Sequence, residues 1–454
     1  GFQDVVRHAG GGVGQTPDYW DNSYFNDTYF RNGTPEKFEG YCTDVFFREA
    51  QRFVGESIEA GKPFFAYIVP NAPHLPYHCP PEYWEKYKGK GLTPEEEIFF
   101  GMIHNIDDNV GAMRAYLEEA GVADNTIFIF TTDNGTASGQ NVFNDNMRGR
   151  KGSAYEGGHR VPFFMHWPEG KLTEGRDIDT LTAHIDVLPT LMDLCGLEIP
   201  MDYSFDGRSL TPLIYEHPTP WVDRALVTDS QRVVDPIKWK DSSTMTQRWR
   251  LINGEELYDM EADRSQTTDV AAKHPEVVAA LRADYDKWWA SISPTFDKEE
   301  RLVIGHNANN PAVLNAHDLI TTAPVSAWNQ SHVRRGYVAN GHFAINVAQA
   351  GVYDMELRRW PPELARAINA ELPPGDPVPG LASYRDPKGV SIGAHSAFLS
   401  VGDFHEEKPV GDSDEGIHFS LKLPAGDAHL RAAFRTGPGD DDMNGAYYVV
   451  VKRR

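Results

Sequence analysis

One apolar segment and the polar turn that ends it constrain the fold of this chain more than any other feature. Residues 126–130 read Thr-Ile-Phe-Ile-Phe, and Thr-Thr-Asp-Asn-Gly follows at 131–135. A short, continuous apolar run closed by a turn is typical of a strand buried on both faces of a parallel sheet. In open α/β sheets, ligands bind beyond the carboxyl ends of such strands. The pattern therefore predicts that Asp133 and Asn134 lie at a binding edge.

The elements around this segment alternate as they do in an α/β domain. Helical spacing of apolar residues predicts helices over 42–60 and 94–120, and Gly121 is a stop signal for the second helix. Continuous apolar runs predict strands at 64–69 and 126–131. The order helix, strand, loop, helix, strand indicates a parallel sheet flanked by helices.

Changes in sequence character divide the chain into three predicted domains. Residues 1–200 carry the α/β pattern. Residues 201–295 contain a hairpin signal, Asn-Gly at 253–254 between alternating apolar positions, and then a helical pattern at about 275–291. Residues 296–454 contain six short β-like runs separated by Gly, Pro and Asp. That last texture predicts a β-sandwich appended to the α/β part.

Charge and cysteine content exclude some classes of function. The 454-residue chain has a formal net charge of −23, which argues against nucleic acid as a partner because nothing would neutralise the phosphates. An anionic small molecule stays compatible with this charge, since a local basic cluster dominates at short range. No apolar stretch approaches the length of a membrane span. Three cysteines allow at most one disulfide, and three free thiols are the simpler interpretation.

Asp133 and Asn134 are candidate metal ligands. A carboxylate beside a carboxamide offers hard oxygen ligands, which suit Ca²⁺ or Mg²⁺ better than Zn²⁺. The alternative is that Asp-Asn-Gly is simply a favourable turn sequence. The long apolar strand before the turn and the cationic loop after it favour metal ligation.

Two further side chains are candidates for catalysis. Lys151 lies between Gly149 and Gly152, in a loop rich in arginine, and it is placed to bind an oxyanion. His74 follows the predicted strand at 64–69 and stands close to prolines on both sides, which stiffen its loop. A rigidly held imidazole can donate a proton to a departing oxygen, whereas an isolated loop histidine more often caps a backbone carbonyl.

Three blocks of this sequence resemble the type I sulfatases of the alkaline-phosphatase superfamily. They are Ala-Pro-His-Leu-Pro at 72–76, the strand-ending Asp-Asn-Gly at 133–135, and the segment 148–162 with its lysine loop, Glu-Gly-Gly and Arg-Val-Pro. The resemblance extends from residue 1 to about 290. It implies an alkaline-phosphatase-like fold, a mostly parallel sheet flanked by helices with a small α+β subdomain. It also implies hydrolysis of a sulfate ester, such as that of a carbohydrate.

The resemblance assigns roles to individual residues. Asp133 and Asn134 would ligate one Ca²⁺ ion. Lys151 would bind a sulfate oxygen, and His74 would contact the sulfate group and protonate the leaving alcohol. The resemblance also implies a formylglycine, which this family forms from a Cys or Ser.

Other polar residues of the resembling region are weaker candidates. His159 stands where many relatives carry an aliphatic residue, and we consider it for substrate contact. Gln231 and Arg232 lie in a loop of the small subdomain and are considered for the same role. An adjacent acidic pair belongs to the metal site of sulfatases, but Asp107 and Asp108 lie within an amphipathic helical pattern. Their side chains would point about 100° apart, so we do not expect them to ligate the metal.

The nucleophile of the resembling family is missing from this chain. Type I sulfatases need Cys or Ser in Cys/Ser-x-Pro-x-Arg, and Cys42, Cys79 and Cys195 stand in other contexts. We therefore expect the larger, carboxyl-terminal portion of a periplasmic or extracellular sulfatase. Its formylglycine would lie in an amino-terminal segment outside the chain, which alone would be an incomplete enzyme. The alternatives are a phosphodiesterase or phosphonate hydrolase of the same superfamily, and a non-catalytic glycan-binding protein.

Overall fold

Helices and short strands alternate along the first two thirds of the chain, with long loops between them, and strands are the main regular elements of the remainder. The structure, a computed structural model, describes residues 1–173, 175–200, 203–217, 220–321, 326–381, 387–439 and 442–454. The helices of these residues are α1 (Cys42–Glu59), α2 (Pro81–Trp84), α3 (Pro94–Glu119), α4 (Glu156–His159), α5 (Val187–Leu194), α6 (Thr211–Ile214), α7 (Pro275–Ile292) and α8 (Gln330–Arg334).

The strands of the described ranges are numbered in chain order. They are β1 (Val6–Arg7), β2 (Thr28–Arg31), β3 (Thr34–Lys37), β4 (Phe128–Thr131), β5 (Phe163–His166), β6 (Leu226–Asp229), β7 (Ser242–Met245), β8 (Trp249–Ile252), β9 (Glu256–Asp259), β10 (Leu302–Ile304), β11 (Ala312–Asn315), β12 (Ile320–Thr321), β13 (Gly341–Val347), β14 (Gly351–Arg358), β15 (Ser396–Val401), β16 (Phe404–Pro409), β17 (Gly416–Leu423), β18 (Gly426–Arg435), β19 (Met443–Gly445) and β20 (Tyr448–Arg453).

The chain divides into two compact units. The first unit consists of Gly1–Ala120 together with Glu299–Arg454, and the second is Gly121–Lys298. The domain boundaries predicted at residues 200 and 295 stay predictions. None of the helices in the described ranges is both long enough and apolar enough to cross a bilayer.

Local signals explain the long helix of the first unit. The hydroxyl oxygen of Thr93 accepts the Glu96 backbone N–H at 3.2 Å, and the Glu96 carboxylate accepts the Thr93 N–H at 2.9 Å. This reciprocal capping, with Pro94 at the first helical position, satisfies backbone donors that the first turn leaves unpaired. Gly121 takes a left-handed φ of 71° just after the helix. The helices predicted over 42–60 and 94–120 are confirmed as α1 and α3.

Residues 64–69 differ from the prediction of a buried strand. They form no ladder with any described segment, and their side chains Phe65, Tyr67 and Val69 are 62%, 70% and 57% exposed. Phe2 stacks on Phe65 with ring centroids 5.7 Å apart. The prediction is wrong for this structure because an extended segment becomes a strand only by hydrogen bonding to a neighbouring one.

Two sheets of the first unit pack face to face as a β-sandwich. One has the order β10-β13-β18-β15-β16, with β12 on β13 and β19 on β18, and the other has the order β11-β20-β14-β17. Alternate residues of both sheets enter one core, such as Phe343 and Ile345 on β13 and Tyr353 and Met355 on β14. The six predicted β runs are therefore confirmed, as β13, β14, β15, β17, β18 and β20.

The second unit contains the predicted strand that precedes the Asp-Asn-Gly turn. Residues 128–131 form β4, which pairs with β5 in an antiparallel ladder that matches Phe128 to His166. The predicted strand is confirmed, but its partner in the described residues is antiparallel and its side chains are only half-buried. The metal-ligand candidates Asp133 and Asn134 follow directly after β4.

A four-stranded antiparallel meander, β6-β7-β8-β9, completes the second unit. The predicted hairpin connects β8 to β9, and Asn253 and Gly254 adopt left-handed φ values of 52° and 71°. Helix α7 packs on this sheet because Val278 and Leu281 share a core with Leu251 of β8. The predicted helix at 275–291 is thus confirmed, and it anchors the small sheet.

Candidate functional site

The lysine loop and the Asp-Asn-Gly turn are held together by backbone contacts. The N–H of Lys151 donates to the Thr136 carbonyl at 2.9 Å, and the N–H of Gly135 donates to the Gly158 carbonyl at 3.0 Å. A Cβ atom on Gly135 would lie 1.9 Å from the carbonyl oxygen of Gly157. Only glycine permits this approach, so two sequence blocks that are distant along the chain become neighbours.

The predicted metal ligands lie side by side at the end of β4. Asp133 is exposed, Asn134 is half-buried, and the Asn134 amide donates to the Asp133 carboxylate. These oxygen donors suit a hard cation such as Ca²⁺ in kind, but Ca²⁺ takes about six to eight oxygen ligands. The His, Cys, Asp and Glu side chains of the described residues form no group of three around Asp133. The pair can therefore supply only part of a calcium site.

A buried ion pair fixes the lysine loop on the small sheet. Glu156 is only 2% exposed, and its Oε1 lies 2.6 Å from Nε of Arg250 on β8. Burial alone would raise the pKa of Glu156, but the charge and hydrogen bond of Arg250 hold it below its usual value. The backbone N–H of Glu156 also donates to Oε1 of Gln266 at 2.8 Å. These contacts give the Glu-Gly-Gly segment a structural role.

Arg148 also helps to hold the lysine loop on the small sheet. Its guanidinium lies 3.9 Å from the ring centroid of Tyr155, and Nη1 donates to the hydroxyl of Tyr258 at 2.9 Å. Tyr155 in turn donates to the carboxylate of Glu256 at 2.9 Å. Because Arg148 is engaged with these aromatic side chains, it belongs to the support of the loop.

A basic cleft opens beside the anchored loop. Its volume is about 560 Å³, within the range of ligand sites. Four cationic side chains line it, namely Arg150, Lys151, Arg232 and Lys240, together with Ala137, Gly152, Ser230 and Asp241. In the part of the chain that the structure describes, no ion pair joins any of these four cations to a carboxylate. The structure thus brings two predicted site residues, Lys151 and Arg232, into one cleft.

The loop between β6 and β7 supplies Arg232 and Lys240. Gln231, the neighbour of Arg232, donates to the Asp229 carboxylate at 2.9 Å and accepts the Ile237 N–H at 2.7 Å. Gln231 therefore braces the loop, and its amide is occupied by these contacts. Sequence reasoning missed Lys240. Strands β6 and β7 flank this loop and pair with each other. A prediction of that hairpin would have placed the two ends of the loop, and so Arg232 and Lys240, close together.

His159 lies beside the anchor rather than among the residues that line the cleft. Its Nε2 is 3.2 Å from the carbonyl oxygen of Ala154. Burial lowers the pKa of His159, and the nearby charge of Arg250 lowers it further, while Glu156 opposes them. A neutral imidazole bonded to the backbone supports the loop, and substrate contact by His159 stays a prediction.

His74 belongs to the first unit. Its ring Nδ1 lies 2.8 Å from the carbonyl oxygen of Leu75, and its backbone N–H donates to the Asn71 carbonyl at 2.8 Å. The side chain is exposed. With Nδ1 held by the backbone, Nε2 is the atom available for proton transfer to a ligand.

The acidic pair at 107–108 lies on the surface of α3. Both side chains are exposed, and Asp108 lies 3.9 Å from His104 one turn earlier on the helix. Neither belongs to a metal-ligand cluster among the described side chains. The expectation that the pair has no metal role stays a prediction.

A cysteine, a histidine and an aspartate meet in the interior of the first unit. Nδ1 of His8 lies 3.4 Å from Asp18 and its Nε2 lies 3.6 Å from Sγ of Cys42. Burial alone would lower the pKa of His8, but the charge and hydrogen bond of Asp18 raise it to about 10. The three residues are 6%, 2% and 1% exposed, so no substrate reaches the thiol and the cluster is structural.

Comparison with known proteins gives matches to sulfatases. Residues 6–197 match the Sulfatase family, and residues 150–287 match the family described as N-sulphoglucosamine sulphohydrolase, C-terminal. The uncharacterized sulfatase YdeN of Escherichia coli K12 is 33% identical over 197 residues, which are 43% of this chain and 35% of YdeN. An arylsulfatase of Clostridium perfringens is 30% identical over 264 residues, covering 48% of this chain and 52% of that protein.

The chain is also similar to solved structures over more than half of its length. The crystal structure of Ps i-CgsB in complex with k-i-k-neocarrahexaose has a TM-score of 0.53 and 27% identity, and the match covers 57% of each chain. The present chain therefore spans about half, or less, of the length of the curated relatives described above.

Proposed function

We propose that this protein is a sulfatase with the alkaline-phosphatase-like fold and that it hydrolyses the sulfate ester of a carbohydrate. Residues 6–197 match the Sulfatase family, and residues 150–287 match the C-terminal family of N-sulphoglucosamine sulphohydrolase, which supports this proposal. The observation that carries the proposal is the cleft lined by Lys151 and Arg232 and by two more cations without carboxylate partners in the described ranges. An ester sulfate is an anion of low basicity. In a concave site, cations without carboxylate partners attract it at short range more strongly than the net charge of −23 on the whole chain repels it.

In the proposed reaction, each candidate residue of the chain has its own role. Lys151 binds a sulfate oxygen and stabilises the charge that grows on it in the transition state. His74 donates a proton from Nε2 to the departing alcohol oxygen. Asp133 and Asn134 supply two of the oxygen ligands of a Ca²⁺ ion. When bound, that ion would neutralise charge on the sulfate group.

The nucleophile of the proposed enzyme is formylglycine, as is typical of the family. No Cys or Ser of these 454 residues stands in the sequence Cys/Ser-x-Pro-x-Arg, so the proposed nucleophile comes from outside them. Placement in the periplasm or outside the cell is part of the same proposal and rests on the resemblance to secreted sulfatases.

A carbohydrate substrate is supported by the match to Ps i-CgsB, which was solved with k-i-k-neocarrahexaose. The cleft volume of about 560 Å³ is in keeping with one sulfated sugar unit. The β-sandwich predicted for residues 296–454 has no role in this proposal, because a fold alone assigns no function.

The test is an assay of sulfate release by the protein at its full natural length. We expect release from 4-nitrophenyl sulfate or from sulfated oligosaccharides, lost on chelation and restored by Ca²⁺. Lys151→Ala should lower kcat/KM by roughly a hundredfold or more, since it removes a charge that acts in the transition state. Lys238→Ala is the matched control, because Lys238 lies in the same loop as Arg232 but pairs with Asp286 at 2.6 Å.

Three outcomes would contradict the proposal. One is the absence of sulfate release from every substrate while the protein is folded and loaded with Ca²⁺. Another is cleavage of phosphate diesters or phosphonate esters in preference to sulfate esters, which identifies the related hydrolases of the superfamily. Retained glycan binding without any hydrolysis identifies a binding protein.

A further inference from the structure

Two histidines and a glutamate of the first unit converge on its surface. Nε2 of His342 lies 3.4 Å from Oε1 of Glu299, and Nε2 of His429 lies 2.7 Å from Oε2 of the same carboxylate. The two imidazole rings have centroids 4.3 Å apart. One ligand atom from each of the three side chains lies within 4.8 Å of the others. This cluster lies at the β-sandwich, and none of its three residues lines the basic cleft.

Strand register explains why the two histidines meet. β13 and β18 are antiparallel neighbours, and the register places Ala344 opposite His429. His342, two residues before Ala344, is therefore a diagonal neighbour of His429 on the same face of the sheet. Phe343 and Leu430 point to the other face, into the sandwich core. The small side chain of Ala344 leaves room for both rings to turn toward Glu299.

The arrangement suits a borderline transition-metal ion better than Ca²⁺. Imidazole nitrogen and one carboxylate oxygen are ligands that Zn²⁺ and its neighbours in the first row bind well, whereas Ca²⁺ prefers oxygen only. Tetrahedral Zn²⁺ with ligand bonds of about 2.0–2.2 Å separates its ligand atoms by about 3.3–3.5 Å. The 3.4 Å between Nε2 of His342 and Oε1 of Glu299 matches that spacing. Nε2 of His429 lies 2.7 Å from the other carboxylate oxygen, Oε2, so this ring must move away from Oε2 to bind the same ion.

Arg301 contacts the same carboxylate oxygen of Glu299 as His429 does. Its Nη2 lies 2.7 Å from Oε2 of Glu299, and its Nε lies 3.2 Å from the Asp427 carboxylate. Asp427 balances the positive charge of Arg301. The guanidinium therefore adds little net repulsion of a metal cation bound at Glu299. A partner that holds a ligating carboxylate in one orientation is typical of metal sites. Oε1 of Glu299 then faces His342.

We propose that Glu299, His342 and His429 form a binding site for a divalent transition-metal ion such as Zn²⁺. The side chains are 29%, 33% and 54% exposed, so the ion would keep a solvent-facing position filled by water. Its binding would join the segment just before β10 to β13 and β18, two central strands of one sheet. The site is separate in residues and in ligand chemistry from the oxygen ligands proposed for Ca²⁺.

Titration of the full chain with ZnCl₂ after removal of metal by a chelator tests this site. With Ca²⁺ present throughout, calorimetry should show one saturable Zn²⁺ site. His342→Ala and His429→Ala should each weaken it at least about tenfold, and the double variant should abolish it, because each removes a ligand. His405→Ala is the matched control, since His405 is exposed on β16 of the same sheet and lies outside the cluster. Zn²⁺ should also raise the Tm of the parent chain and not that of the double variant.

Circular dichroism without metal checks the fold of each variant. If an alanine variant is unfolded, Glu299→Gln decides, because glutamine keeps the shape of the side chain and lacks its charge. Zn²⁺ affinity of the histidine variants equal to that of the parent would overturn the proposal, as would the absence of saturable binding. Loss of Zn²⁺ binding in Asp133→Asn, with binding kept in the double histidine variant, would also overturn it, since the ion would then sit at the turn after β4.

Discussion

The two halves of the lysine loop differ in how their charges are treated. In the half from residue 154 to 158, the carboxylate of Glu156 is buried and paired with Arg250. In the half around Lys151, exposed or half-buried cations face an open cleft and have no carboxylate partner in the described residues. One half therefore holds the loop in position, and the other half keeps its positive charges available to a ligand. Substitutions in the first half should change stability, and those in the second should change binding.

The largest effect should follow from breaking the buried pair. Arg250→Met leaves the buried Glu156 charge with only the more distant Arg160, at 3.5 Å, and loss of the close member of such a pair costs about 3–5 kcal/mol of unfolding free energy. Urea unfolding at pH 7 measures it. Arg248→Met is the matched control, because Arg248 pairs with Asp259 at the surface and should contribute little. A similar small change in both variants would show that the anchor does not depend on the pair.

Loss of the central cation should change binding and spare stability. Lys151→Ala should lower affinity for 4-nitrophenyl sulfate about ten- to hundredfold, the size of a lost hydrogen bond to a charged group. Calorimetry measures the affinity, and urea unfolding should show a change below about 0.5 kcal/mol. A large loss of stability with unchanged affinity would reverse the roles assigned to the two halves.

The sequence predicts a structural feature well where a few neighbouring residues determine it, and poorly where distant segments do. The end of α3 at Gly121 and the Asn253-Gly254 turn were predictable because single residues determine the backbone there. The strand predicted at 64–69 failed, since its pairing depends on segments elsewhere. The meeting of Lys151 with Arg232 follows from tertiary packing, and no spacing of residues along the chain encodes it.

The outer cations of the cleft should contribute less than Lys151. Arg232→Ala and Lys240→Ala should each weaken binding of the same sulfate ester about two- to fivefold, as expected for exposed charges. Both effects should shrink as NaCl rises from 50 to 500 mM (chosen test concentrations), because salt screens exposed charges. Lys238→Ala, the paired cation of the same loop, should leave affinity unchanged. Equal effects of all three would mean that only the overall charge matters.

The smallest effect should appear at low pH. The pKa of Glu156 is depressed in the folded chain, so its contribution to stability is complete above its ordinary value of 4.5. The contribution is lost as pH falls through the folded-state pKa. We expect the difference in unfolding free energy between the parent chain and Glu156→Gln to narrow below pH 4.5. A difference that stays constant down to the lowest pH at which the chain folds would contradict this linkage.

The basic cleft on a strongly acidic chain has a consequence for the speed of encounter. At a distance, a polysulfated molecule meets the field of 23 excess negative charges and is slowed. Only within about one Debye length, roughly 8–10 Å, do the four cations dominate. Added salt should therefore raise the association rate constant while it also raises the dissociation rate constant. Such a protein captures its ligand most rapidly in saline surroundings and releases it readily there.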